Sequence, residues 1–242
     1  MRGLLQDNAA NADAYLAWWQ LAGVDCAIGE SPVDWLRPAS AQPLAPNAAV
    51  AAPAPVVEKP QSLESFHAWL AEDPAQPERR WPGTIILPTG AQQSTLMVVT
   101  DLPDPADMQD GRLLADRAGT LFDAMLRAIG LDRNAIYLAS LFTARPPGGM
   151  VEATDLSAAA DRMRTHVALA RPRRLLLLGD RTIRALLPTS DNEDADALRD
   201  FNHDGGTVPV VATFHPRLLL TQPAAKAECW RTLQSLIEEA RP

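Results

Sequence analysis

Two short apolar runs restrict the fold more than anything else in the chain. Leu96-Met97-Val98-Val99 stops at Thr100-Asp101-Leu102-Pro103-Asp104, and Ala135 to Phe142 runs into Arg145-Pro146-Pro147-Gly148. Apolar runs of this length, closed by Pro, Asp or Gly, read as strands buried on both faces. Between them, Thr120 to Ile129 reads as a helix stopped by Gly130. Strand, helix and strand in this order predict a parallel sheet covered by helices. Ligands of such sheets gather at the C-terminal ends of the strands, which here carry Asp101, Asp104 and Arg145.

The alternation continues downstream. A helix starting at Thr154 or Ser157 runs to about Ala170, Arg174 to Leu178 is a near-continuous apolar strand, and Thr182 to Leu187 a short helix. Val208 to Thr213 reads as the last strand and Ala224 to Ala240 as the closing helix. Thr189 to Gly206, polar and acidic, reads as a loop. Upstream, Ser62 caps a helix to Leu70, Asp73 to Pro82 is a Pro-broken loop, and Thr84 to Leu87 reads as a further strand. The predicted class is therefore α/β, a short parallel sheet flanked by helices over residues 61–242.

The first sixty residues differ in kind. Asn11 to Leu21 reads as a helix carrying Trp18 and Trp19, and Trp35 follows closely. Residues 37–60 form an Ala/Pro-rich linker without periodicity, whose flexible reach is about 27 Å. Tryptophans on a tether suit a docking arm, because Trp is favoured at interaction hot spots. The competing reading folds this helix back onto its own domain. Residues 1–36 are thus expected to be a Trp-rich docking segment.

Charge and cysteine content narrow the function. The net charge of −8 opposes tight non-specific DNA binding, which needs Lys and Arg against phosphate, so DNA contact should be weak or indirect. Two cysteines, Cys26 and Cys229, are too few for a disulfide framework and suit a reducing compartment. With no signal-peptide pattern and no apolar run long enough for a membrane, the expectation is a cytoplasmic protein. His67, His166 and His203 lack metal-ligand spacing.

The order of these motifs resembles the uracil-DNA glycosylase superfamily, most closely its iron–sulfur-containing bacterial branch. Gly111-Arg112, Gly130-Leu131-Asp132-Arg133, Ile136-Tyr137 and Arg145-Pro146-Pro147-Gly148 carry the resemblance, with Leu177-Leu178-Gly179, Phe214-His215-Pro216 and Leu218-Leu219-Leu220. It implies that His215 matches the family's His, which stabilises the anion developing on the departing uracil. The rest of the reactive set departs from the pattern. Thr100-Asp101-Leu102-Pro103-Asp104 stands where the branch has Gly-Glu-Ala-Pro-Gly, Leu114 where a Phe stacks on uracil, and Ser140 where an Asn reads its amide edge. The branch's cluster cysteines lie before the first strand, just before Arg-Pro-Pro and in the next helix. This chain has Ala144 before Arg145 and no Cys in Ser157 to Ala170. A cluster needs about four thiolates, so no cofactor is expected.

A second, shorter resemblance is to the psi subunit of the DNA polymerase III clamp loader, a glycosylase-type fold without its active site. Leu96 to Pro103 is similar to the psi strand and loop, and Trp19 to Val24 with Val33 to Pro38 to its N-terminal arm. It implies docking on a clamp-loader ATPase through Trp18, Trp19 and Trp35, and a chi-like subunit on the fold. The expectation is a non-catalytic glycosylase-like adaptor in DNA replication or repair. The alternative is an active glycosylase of altered specificity, in which Asp101 or Asp104 orients water and His215 assists. Arg145 is then a phosphate contact, or else part of a rigid turn.

Overall fold

The computed structural model describes residues 60–187 and 199–238. The Trp-bearing segment, the linker up to residue 59, and the stretch 188–198 lie outside the described residues. Helix α1 (Leu63–Glu72) starts where Ser62 predicts, its hydroxyl accepting the Ser65 N–H at 3.1 Å.

Five strands form one sheet: β1 (Leu96–Thr100), β2 (Ile136–Ser140), β3 (Leu175–Leu178), β4 (Arg199–His203) and β5 (Gly206–Thr213). Their order is β2-β1-β3-β5-β4, parallel throughout except for the edge strand β4. Between and after them come α2 (Pro105–Asp110), α3 (Arg117–Ala128), α4 (Ala153–Ala170), α5 (Asp180–Leu186), α6 (Pro216–Thr221) and α7 (Lys226–Glu238). None of the described helices is long and apolar enough to cross a membrane.

The unbroken apolar strands sort into two layers because successive side chains leave opposite faces. Met97, Val99, Leu175 and Leu177 pack with Met163 and Val167 of α4. Leu96, Val98, Leu176 and Leu178 pack with Phe122 and Leu126 of α3 and Leu233 and Leu236 of α7. Each such aliphatic side chain contributes about 1.5–3 kcal/mol when fully buried, so a polar residue on either face would be costly. One polar chain is nonetheless built into the α4 layer. The Tyr137 hydroxyl lies 2.6 Å from His67 Nε2 and 2.8 Å from His166 Nε2, joining α1, β2 and α4.

Two expectations need correction. Thr84 to Leu87 is not a strand: the segment is irregular, with Ile86 N–H bonded to Thr143 O at 2.7 Å and Thr89 forming a lone bridge to Leu138. Pro82 and Pro88 bracket it and cannot donate to a ladder. The stretch read as a loop to Gly206 instead contains β4, paired antiparallel with β5 across the two-residue turn Asp204-Gly205. Asp-Gly is a strong hairpin signal, and the polar edge strand before it hid the pairing.

Candidate functional site

The site lies where the parallel strands end. Beyond β2, Leu141 N–H bonds to Thr100 O at 2.8 Å and Phe142 N–H to Asp101 O at 3.2 Å, which holds the two strand exits together. The loop after β1 is tied down by Asp107, whose carboxylate accepts the Asp104 N–H at 3.0 Å and the Ala115 N–H at 2.7 Å. Arg145 donates to Pro103 O at 3.1 Å, so the Arg-Pro-Pro turn braces that loop.

Both acids of the loop face arginines. Asp101 Oδ2 lies 3.3 Å from Arg181 Nη1, and Arg181 also reaches Gly149 O at 3.4 Å. Asp104 Oδ1 lies 3.6 Å from Arg145 Nη1, while Oδ2 pairs with Arg217. Burial pushes the Asp104 carboxyl up, Arg217 and Arg145 pull it back, and it ends above the usual carboxylate range.

His215 caps α6, its Nδ1 accepting the Arg217 N–H at 3.1 Å. That bond leaves the proton of the neutral ring on Nε2. Burial, and then the Arg217 charge, lower the His215 pKa to about 4, so the ring is neutral at ordinary pH. Gly179 makes room for it. Its φ of 90° favours glycine, and a Cβ there would stand 3.3 Å from the His215 Cβ.

A cavity of about 360 Å3 opens here, lined among others by Asp101, Arg181, His215 and Arg217. Small-molecule sites start at about 300 Å3. Asp104, Arg145, Leu114 and Ser140 are not among its lining residues. Leu114 is buried in the α3 layer with φ 52°, and its carbonyl accepts Arg133 Nη2 at 2.6 Å. Ser140 spends its hydroxyl on Phe142 O at 2.6 Å. The structure thus joins His215 with Asp101 and leaves the two expected base-pocket positions out. Trp18, Trp19 and Trp35 lie outside the described residues. Arg181 and Arg217 were missed from the sequence, whereas Gly179 was singled out only as part of the Leu177-Leu178-Gly179 motif. The signal of both arginines was position, a few residues beyond the ends of β3 and β5.

The uracil DNA glycosylase superfamily model matches residues 87–234, from just before β1 into α7. The chain belongs to the uracil-DNA glycosylase superfamily. Two similar proteins are archaeal and named type-4 uracil-DNA glycosylase. The one from Pyrobaculum aerophilum is 22% identical over 71% of this chain and 91% of its own length. The one from Archaeoglobus fulgidus is 23% identical over 57% of this chain and 73% of its own. The five-stranded sheet of this chain places His215 and Asp101 along one cavity.

The residues present do not fit the iron–sulfur group that the branch implies. Ala144, just before Arg145, is fully buried, as is Ala159 in α4, and neither offers a donor atom. Cys229 packs in the α7 layer, on the opposite face of the sheet from α4. Among the described residues no group of three or more His, Cys, Asp or Glu is arranged to hold a metal ion.

Proposed function

We propose that this superfamily member is a non-catalytic adaptor in DNA replication or repair, acting in the cytoplasm. The observation that carries the reading is the pairing of both loop carboxylates with arginines, Asp101 with Arg181 and Asp104 with Arg145 and Arg217. Hydrolysis of a glycosidic bond needs a group that orients water, and a carboxylate held by a guanidinium is a poor one. Base recognition must also offset a few kcal/mol of unstacking. Leu114 and Ser140, buried and bonded elsewhere, supply neither a stacking ring nor a free amide. The net charge of −8 weighs against a grip on the phosphate backbone.

The partners follow from the N-terminal arm and the psi resemblance. Trp18, Trp19 and Trp35 dock on a clamp-loader ATPase, and the glycosylase-like domain takes a chi-like subunit. The test has two arms. Single-turnover assays with protein in excess over uracil-containing single- and double-stranded DNA should give no abasic product. Affinity capture with the full chain should retain replication or repair proteins. Cleavage that His215→Ala abolishes would overturn the reading.

One observation favours the second reading, an active glycosylase on another base. His215 lines the same cavity as Asp101, and with Nδ1 accepting from Arg217 its neutral ring carries the N–H on Nε2, a donor of the kind that suits a developing anion. A panel of deaminated and alkylated bases in the same assay separates the two.

A further inference from the structure

Taking a carboxylate and a guanidinium out of water is costly, and such a pair persists only when nearly every polar atom finds a partner. Glu78 and Arg162 are the most deeply buried ion pair among the described residues, with side chains 0% and 7% exposed. Their polar atoms are well satisfied. Glu78 Oε1 accepts Arg162 Nη2 at 2.5 Å and the Thr143 N–H at 3.0 Å, and Oε2 accepts Arg162 Nη1 at 3.1 Å. Arg162 donates further to Leu141 O at 2.6 Å and to Gln76 Oε1. The guanidinium's planar fork makes this set possible, and a lysine ammonium would not reproduce it.

The network joins three stretches remote in sequence. Gln76 and Glu78 stand in the turn before β1, Leu141 and Thr143 lead into the Arg-Pro-Pro turn, and Arg162 sits mid-way along α4. These are the three stretches in which the iron–sulfur branch carries its thiolates. Here alanines stand among them, Ala144 and Ala159, both wholly buried. Its reach extends to the site, because Leu141 and Phe142 hold the β1 exit through Thr100 O and Asp101 O.

We infer that the Gln76–Glu78–Arg162 network is a polar staple that replaces the iron–sulfur cluster, tying the pre-sheet turn, the β2 exit and α4 with hydrogen bonds alone. The chain thereby keeps the geometry of the loop that carries Asp101 without needing iron, sulfide or a loading system. Because the staple supplies position and no chemistry, it serves an adaptor and an enzyme equally, and it stands or falls apart from the proposed function.

Hydrogen–deuterium exchange and thermal melting of the full chain test it. Arg162→Met leaves Glu78 buried and unpaired, and melting should fall by about 10 °C. Exchange should rise at least about tenfold in residues 76–82 and 141–145 while β3 and β5 stay protected. Arg162→Lys should show the same pattern to a smaller extent. The double variant Glu78→Met with Arg162→Met should regain part of the melting temperature, since no lone charge remains. If Arg162→Met does not fold, Glu78→Gln reads out the same two segments. Unchanged exchange there, or loosening spread evenly over the sheet, would overturn the staple. So would anaerobic incubation with ferrous iron and sulfide that loads about four irons per chain.

Discussion

Arg217, two residues beyond His215, reaches back to pair with Asp104 at the far end of the β1 loop. The His-Pro turn and the Asp-Leu-Pro-Asp loop are thereby fastened to each other across the site. Because the Asp104 carboxyl is buried enough to sit above its usual range despite two arginines, the two ends of this pair should not be equivalent. Asp104→Asn removes a costly charge and should change stability by less than about 1 kcal/mol. Arg217→Ala leaves Asp104 with Arg145 alone and should cost about 1–2 kcal/mol, limited by the half-exposed Arg217 side chain. Urea unfolding of both variants decides it, and equal losses would refute the asymmetry.

Gly179 should tolerate no side chain. Gly179→Ala meets both an unfavourable φ of 90° and the His215 Cβ at 3.3 Å. A cost of about 1–3 kcal/mol is expected. NMR should also show the His215 ring displaced, with its pKa moving toward that of a free histidine. An unperturbed His215 resonance would mean the ring does not depend on that close approach.

Stability should fall steadily on mild acidification. Burial holds His166 at about 3 and His215 at about 4, against about 6.5 for a free histidine. Between those values the unfolded chain binds protons that the folded chain refuses, so the folded state loses ground as pH drops from about 6.5 to about 4. Two such groups give up to about 2.7 kcal/mol per pH unit. Glu78 adds to the loss lower down. Burial alone would raise its carboxyl, but the Arg162 hydrogen bond and charge hold it below the usual range. That contribution is present above the unfolded pKa of about 4.3 and vanishes as pH falls through the folded value. Urea midpoints at pH 7, 6 and 5 give the slope, which His166→Gln should reduce by about one proton's worth.

The arm makes the sharpest prediction for the adaptor. Replacing Trp18 and Trp19 with Ala should weaken partner binding at least about thirtyfold, from about 2 kcal/mol or more at a hot spot. Melting of the free protein should hardly move. A large fall in melting temperature with partner affinity intact would instead make these residues part of the protein's own core.

Much of the sheet was legible because strands buried on both faces read as unbroken apolar runs, as Leu175 to Leu178 do. The edge strand β4 escaped because only Phe201 of its five residues is buried. Thr84 to Leu87 misled in the opposite way, as an apolar run whose flanking prolines exclude a ladder. At the site, Asp101 was singled out by the rule that parallel strands carry function at their C-terminal ends, and His215 by the family resemblance. Their arginine partners were not, because Arg181 reaches Asp101 across 80 residues of sequence. Glu78 and Arg162 stand 84 residues apart, so no local pattern joins them.

The Tyr137 hydroxyl sits between two imidazole Nε2 atoms, and it has one hydrogen to give. One ring must therefore receive that hydrogen while the other supplies its own. With both histidines neutral, either direction satisfies the chain. Once the partly exposed His67 takes up a proton, its Nε2 can only donate, Tyr137 must turn toward His166, and the proton of that buried ring is confined to Nδ1. A charge arriving near the surface is thus recorded as a choice of tautomer in the core, with no heavy atom having to move.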